Sequence, residues 1–119
     1  MLTREKGRLA EEQALTYLIA QGMQPIAQNY YCKMGEIDLV MRDKEHLVFI
    51  EVRARASASF GGGVASITYA KKQKIIKSAL HYMSKHKVHN QWAMRFDVIS
   101  VDGHSASITW IKDAFGMDY

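Results

Sequence analysis

The chain has one cysteine, one proline and no long apolar run, and each scarcity removes a class of protein. Cys32 alone cannot form an internal disulfide or the cysteine-rich ligand set of a structural zinc site, so no oxidising compartment is required. No segment reaches the roughly 18 consecutive apolar residues of a membrane span, and the opening MLTREKGRLAEEQ is charged throughout, unlike a secretory signal. A cytoplasmic location without a membrane partner is therefore expected. Walker loops, zinc-ligand spacings and Gly-x-Ser-x-Gly elbows are also missing.

What is present is ordinary globular material. The 119 residues are 48% hydrophobic and 24% charged, enough for a single domain spanning 1–119 around one core. Sixteen Lys+Arg against twelve Asp+Glu leave a formal charge of +4, a mild bias toward an anionic partner such as nucleic acid.

Thr3 to Gln21 reads as a helix stopped by Gly22, and Pro25 excludes its continuation. Ile26 to Tyr31 is a short strand candidate, closed by a turn at Lys33-Met34-Gly35. Glu36 to Arg42 and Leu47 to Arg53 are rich in β-formers and flank the polar Asp43-Lys44-Glu45-His46, which makes a β-hairpin. Ala54 to Ser66, with Phe60-Gly61-Gly62-Gly63 inside it, reads as a mobile loop. Thr68 caps a helix over Tyr69 to His86, with Ile75, Ile76, Ala79, Leu80 and Met83 as its apolar stripe. Met94 to Val101 and Ala106 to Ile111 are strands about an Asp102-Gly103 hairpin turn. The order αβββαββ predicts an α/β fold with a central sheet of mixed strand direction.

A hairpin centred between Lys44 and Glu45 places opposite each other residues whose numbers sum to 89. Asp38 then faces Glu51 and Glu36 faces Arg53. Strand alternation puts these four on one face and Ile37, Leu39, Val48, Ile50 and Val52 on the other. Opposed Cβ atoms lie about 5 Å apart, so two carboxylates there repel by roughly 3 kcal/mol at an effective dielectric of about 20. Arg53 offsets part of this, and a divalent cation would offset more, because Mg²⁺ takes one or two carboxylates plus waters and phosphate oxygens. Such a site activates water for phosphodiester cleavage. The competing reading is a solvated hairpin face with an Arg-centred salt-bridge cluster. Glu11 extends the inward stripe of Ala14, Leu15, Leu18 and Gly22, although a glutamate near a helix N-terminus is also favoured by the helix dipole alone.

These residues form a set: Gly7 with Glu11 and Ala14-Leu15-Thr16-Tyr17-Leu18, Gly35-Glu36-Ile37-Asp38-Leu39-Val40, Val48-Phe49-Ile50-Glu51-Val52-Arg53-Ala54-Arg55, Lys71-Lys72, and Arg95-Phe96-Asp97-Val98-Ile99. From about Gly7 to Val101 the set resembles the YraN family of small bacterial proteins. That family in turn resembles the restriction-endonuclease-like superfamily, which includes Holliday-junction resolvases. The resemblance implies a mixed sheet of about five strands flanked by helices. It also implies a Mg²⁺ or Mn²⁺ site held by Asp38 and Glu51, with Glu11 as the carboxylate from the first helix. Arg53 falls where the superfamily has a lysine, and arginine's very high pKa makes it a poor proton acceptor. Lys71 or Lys72 is the candidate to take over that role.

Arg53, Arg55, Lys71, Lys72, Lys74 and Lys77 are the expected contacts to nucleic acid, with Glu36 in support, and binding would then depend on salt. The lysines read equally well as a solvated helix face. Tyr30, Tyr31, Phe60 and Tyr69 are stacking candidates, although aromatic residues in such positions more often complete a core. His81, His86 and His89 lack metal spacing and read as surface residues. Arg95 and Asp97 read as a structural pair holding the sheet against the first helix, and Cys32 has no adjacent base to activate it. The leading expectation is a metal-dependent, nuclease-like protein acting on DNA more than RNA, by analogy with resolvases a homodimer. An inactive nucleic-acid-binding module of the same fold and a protein-interaction domain are the alternatives.

Overall fold

A computed structural model describes residues 3–55, 67–86, 93–103, 105 and 107–116. Its elements are α1 (Thr3–Ala20), β1 (Gln24–Cys32), β2 (Gly35–Asp43), β3 (His46–Arg55), α2 (Tyr69–Lys85), β4 (Ala93–Asp102) and β5 (Ile108–Phe115). The expected order αβββαββ is the observed one. The expected loop lies outside the described residues from 56 to 66, as do Phe60, Lys87 and His89.

The five strands lie in the order β1-β2-β3-β4-β5. All neighbours are antiparallel except β3 and β4, which run parallel and are joined through α2. Parallel neighbours need a crossover connection, and a helix packed on the sheet supplies it. α1 covers one face, burying Ala10, Ala14 and Leu18 with Leu39, Met41, Val48, Ile50, Ile99 and Val101. α2 covers the other, burying Ile75, Ile76, Ala79 and Tyr82 with Val40, Leu47, Phe49, Phe96, Val98 and Phe115. Among the described residues no helix is long and apolar enough to cross a membrane.

α1 ends as its sequence predicts. Gly22 takes φ +98°, and the N–H groups of Gly22 and Met23 bond the carbonyls of Ile19 and Leu18 at 3.0 Å each. A side chain at that φ would be strained, whereas glycine closes the last turn freely. Thr68 caps α2 by accepting the Lys71 N–H on its hydroxyl at 3.1 Å. The inward arc of α2 differs from the predicted stripe: Tyr82 is buried and Leu80 is exposed. Neighbouring helix positions differ by about 100°, and the arc centred on Ile75 and Ala79 turns Leu80 away.

Two further expectations change. β4 and β5 do not meet in a two-residue Asp102-Gly103 turn; Asp102 N–H bonds the Ser107 carbonyl at 2.9 Å and Val101 pairs with Ile108. Ile37 packs with the α2-side core and not with Leu39 on the α1 side, because strand alternation breaks where β2 parts from β3. His86 is exposed and His81 half-exposed, as expected of surface residues; Nδ1 of His81 is hydrogen-bonded to the Tyr30 hydroxyl, and the His86 ring lies 4.3 Å from that of Tyr82.

Candidate functional site

The hairpin register obeys the predicted sum of 89 from Asp43↔His46 to Leu39↔Ile50, where the β2–β3 ladder stops. Asp38–Glu51 and Glu36–Arg53 are therefore not ladder pairs, contrary to expectation. Instead the Asp38 side chain takes the place of a strand carbonyl, its Oδ2 accepting the Val52 N–H at 2.8 Å. The two strands diverge at the acidic residues, and a cleft of about 430 Å³ opens between them, α1 and the start of α2. Its lining includes Glu11, Glu36, Asp38, Glu51, Arg53, Lys71 and Lys74, so seven sequence candidates meet in one place.

Asp38 and Glu51 sit at the floor, 8% and 4% exposed. Burial, then the neighbouring Glu51 charge, pushes the Asp38 carboxyl up to about 8, against the Val52 N–H that pulls it down. A hydrogen bond between the two side chains adds to the rise. Glu51 Oε2 meets Lys71 Nζ at 2.8 Å and Arg53 Nη1 at 3.6 Å. Lys71, not arginine alone, thus neutralises the carboxylate pair.

Glu11 is half-buried on α1. Burial pushes its carboxyl above the usual range, a hydrogen bond from Asn29 opposes that, and the Glu36 and Glu51 charges add to it. Sequence reasoning missed Asn29. It adopts φ +50° inside β1, and its Nδ2 donates to Glu11 Oε1 at 2.8 Å. Asparagine is one of the few residues that tolerate this backbone region, so an asparagine inside a strand-like run was the available signal.

The remaining candidates separate. Lys74 lines the cleft, whereas Lys72 turns away and places its ammonium 5.9 Å from the Phe115 ring centre. Lys77 is exposed on α2 outside the cleft lining, and Arg55 ends β3. Tyr30 is not free to stack on a base, since it bonds His81 and packs its ring 5.1 Å from that of Tyr82. Among the described residues Arg95 and Asp97 make no bond to α1; they tie β4 to β5 and to Asp43, the last residue of β2.

Among the described residues no three His, Cys, Asp or Glu side chains are grouped to hold an ion. Two converging carboxylates with open space in front fit Mg²⁺ or Mn²⁺, which leave most of their coordination to water and phosphate.

Comparison with known proteins gives the relationship. The model of the uncharacterised protein family UPF0102 matches residues 10–101. A UPF0102 protein of Legionella pneumophila (strain Corby) is 57% identical over 96% of this chain and 97% of its own. One from Psychromonas ingrahamii is 50% identical over 95% and 91%, and one from Ralstonia pickettii 48% over 98% and 94%. Among solved structures, Pyrococcus furiosus SfsA in complex with Ca²⁺ aligns with 92% of this chain and 63% of its own, at TM-score 0.33 and 13% identity. That likeness is too slight to transfer a fold or a function. With most of its length matched by the family model and by these relatives, the chain belongs to the uncharacterised protein family UPF0102, the YraN-like family that its motifs resemble.

Proposed function

We propose that this protein binds nucleic acid, DNA in preference to RNA, and hydrolyses phosphodiester bonds at a Mg²⁺- or Mn²⁺-dependent, nuclease-like site, acting on branched or damaged DNA in repair or recombination. The observation that carries the reading is the buried Asp38–Glu51 pair at the floor of an open cleft, with Lys71 Nζ 2.8 Å from Glu51. A surface salt-bridge cluster does not require either carboxylate to be buried.

Asp38 and Glu51 would hold the cation, which when bound supplies Lewis-acid stabilisation of the charge on a phosphodiester. The chain's own groups do the rest. In hydrolysis a water oxygen bonds to phosphorus as the bridging P–O bond breaks; the water loses a proton and the departing oxygen gains one. Lys71, whose Nζ lies 2.8 Å from Glu51, would orient that water, and Arg53, too basic to accept its proton, would not serve as the base. Arg53 and Lys74 supply fixed positive charge toward the phosphate. Glu11, its carboxyl raised by burial, stands beside the pair.

A second reading has its own support: Lys71 and Arg53 already offset the Glu51 charge without a cation. That arrangement suits a binding module of the same fold that has lost cleavage. A panel of single-stranded, duplex, flapped and four-way-junction DNA, plus RNA, separates the two when run with EDTA, Mg²⁺ or Mn²⁺. Metal-dependent cleavage abolished by Asp38→Ala and by Glu51→Ala is the expected result. Salt-sensitive binding that ignores EDTA, with no cutting of any substrate, would replace the enzyme with the module. Sedimentation of the active species tests the proposed homodimer, and cell fractionation the cytoplasmic location.

A further inference from the structure

We infer that Tyr31 and Tyr69 are stacking platforms for unpaired bases, so that the strand entering this cleft is single-stranded DNA or a locally unpaired stretch of it. The inference rests on the nucleic-acid reading of the cleft and narrows its substrate. It starts from where aromatic rings are left exposed. Among the described residues Phe49, Tyr82, Phe96 and Phe115 are buried and pack ring on ring, while Tyr17, Tyr30 and Trp110 are half-buried and also have ring partners. Tyr31 and Tyr69 stand apart, 69% and 63% exposed.

Neither lines the cleft, but each adjoins residues that do. Tyr31 is paired in the β1–β2 ladder with Glu36, which lines it, and the Tyr31 hydroxyl feels the Glu36 charge most strongly, then those of Glu11 and Asp38. Tyr69 opens α2 between Thr68 and Ala70, both in the cleft lining, two residues before Lys71. Aromatic faces beside cationic side chains, here Arg53, Lys71 and Lys74 among the four carboxylates of the cleft, are how proteins hold single strands without reading sequence, because every base has a π-face. In an intact duplex those faces are stacked on neighbouring bases and are out of reach. The acidic pair points the same way, since carboxylates this deeply buried are reached by one strand drawn into the cleft more readily than by a rigid duplex.

The test is fluorescence anisotropy in EDTA with a labelled single-stranded oligonucleotide and the same sequence as a blunt duplex, for wild type and variants. Wild type is expected to bind the single strand at least about 10-fold more tightly. Tyr31→Ala and Tyr69→Ala should each weaken single-strand binding by about 5- to 100-fold. Duplex binding and the slope against salt should be unchanged, because no phosphate contact is lost. Tyr31→Phe and Tyr69→Phe should retain affinity, since stacking needs the ring and not the hydroxyl. Equal or tighter duplex binding, alanine variants that bind like wild type, or phenylalanine variants as weak as alanine would each overturn the inference. If duplex is cut in a metal-dependent manner with both tyrosines dispensable, the nuclease reading stands and this inference falls. If no nucleic acid binds at low salt, both fall.

Discussion

Asn29 Nδ2 reaches from the middle of β1 to Oε1 of Glu11 on α1, a 2.8 Å contact made from a left-handed backbone at φ +50°. The outlier lies between Gln28 and Tyr30, which pair with Leu39 and Ile37, so it sits opposite Asp38. Backbone strain of this kind gathers at functional sites, where surrounding structure holds it in place. Glycine accepts the conformation and valine does not, because a β-branched side chain at positive φ is a steric outlier. Urea denaturation should therefore find Asn29→Val less stable than Asn29→Gly by at least ~1 kcal/mol. Equal losses would mean that the backbone at Asn29 is unstrained.

Much of this site is legible in the sequence because it depends on short-range regularities. The β2–β3 register follows from one polar tetrapeptide between two β-rich runs, and it brings Asp38 and Glu51 to adjacent positions without knowledge of the rest of the fold. Glu11 follows from helical periodicity in the same way. What fails are features set by tertiary choice. Ile37 leaves its expected face because the ladder ends one rung above Asp38. Tyr30 and Tyr31 are equivalent as letters, yet one packs under α2 and the other faces solvent. Lys71 and Lys72 differ by one helical step of about 100°, and only the position of α2 on the sheet decides which one meets Glu51.

Under the proposed function, that decision would make the two lysines unequal. Lys71 Nζ and a bound cation would compete for the charge of Glu51, so Lys71→Ala should tighten Mg²⁺ binding by about 10-fold in calorimetry, or ~1.4 kcal/mol, while slowing cleavage. Lys72→Ala removes a charge that faces the Phe115 ring and should leave Mg²⁺ affinity within about 2-fold of wild type, under 0.5 kcal/mol. Parallel effects of the two substitutions would reduce Lys71 to one member of a diffuse basic surface.

The buried carboxyl pair gives stability a pH dependence of definite sign. Asp38 titrates near 3.8 when unfolded and is pushed up to about 8 in the fold, by burial first and by Glu51 second. Between those values the metal-free folded state holds a proton that the unfolded chain has released, so stability falls as pH rises through the window. Asp38→Asn cannot ionise and should flatten this decline, melting about 4 °C or more above wild type at pH 9 in EDTA, the shift expected of roughly 1 kcal/mol. Added Mg²⁺ should raise the wild-type Tm at pH 9 and leave Asp38→Asn nearly unmoved. A wild-type Tm that climbs from pH 5 to pH 9 without metal would contradict the assignment.

Asp97 is fully buried at the irregularity of β4, beside Ile50 of β3, and its carboxylate is the hub of a network outside the cleft lining. Oδ1 accepts Arg95 Nε and the Asp113 N–H, and Oδ2 accepts Arg95 Nη2 and Trp110 Nε1, each at 2.9 Å. Arg95 Nη1 extends the network to Asp43 Oδ2, also at 2.9 Å, so one carboxylate joins β4, the edge strand β5 and the end of β2. Each donor is satisfied by Asp97, and removing it leaves a half-buried guanidinium and an indole N–H short of partners. Breaking one side of a buried ion pair costs about 3–5 kcal/mol, a large share of the ~5–15 kcal/mol that holds a domain together. Asp97→Ala should lose about that much in urea denaturation. Trp110→Phe, which gives up one hydrogen bond and part of a ring, should lose only about 1–2 kcal/mol. Where Asp97→Asn still folds, the nearly isosteric amide keeps the shape and changes the charge, and because Asp97 bonds Arg95, Trp110 and Asp113 but neither cleft carboxylate, Mg²⁺ binding at the Asp38–Glu51 pair should match wild type. A stable Asp97→Ala protein with impaired Mg²⁺ binding would reverse the assignment and place Asp97 in the functional site rather than in the scaffold.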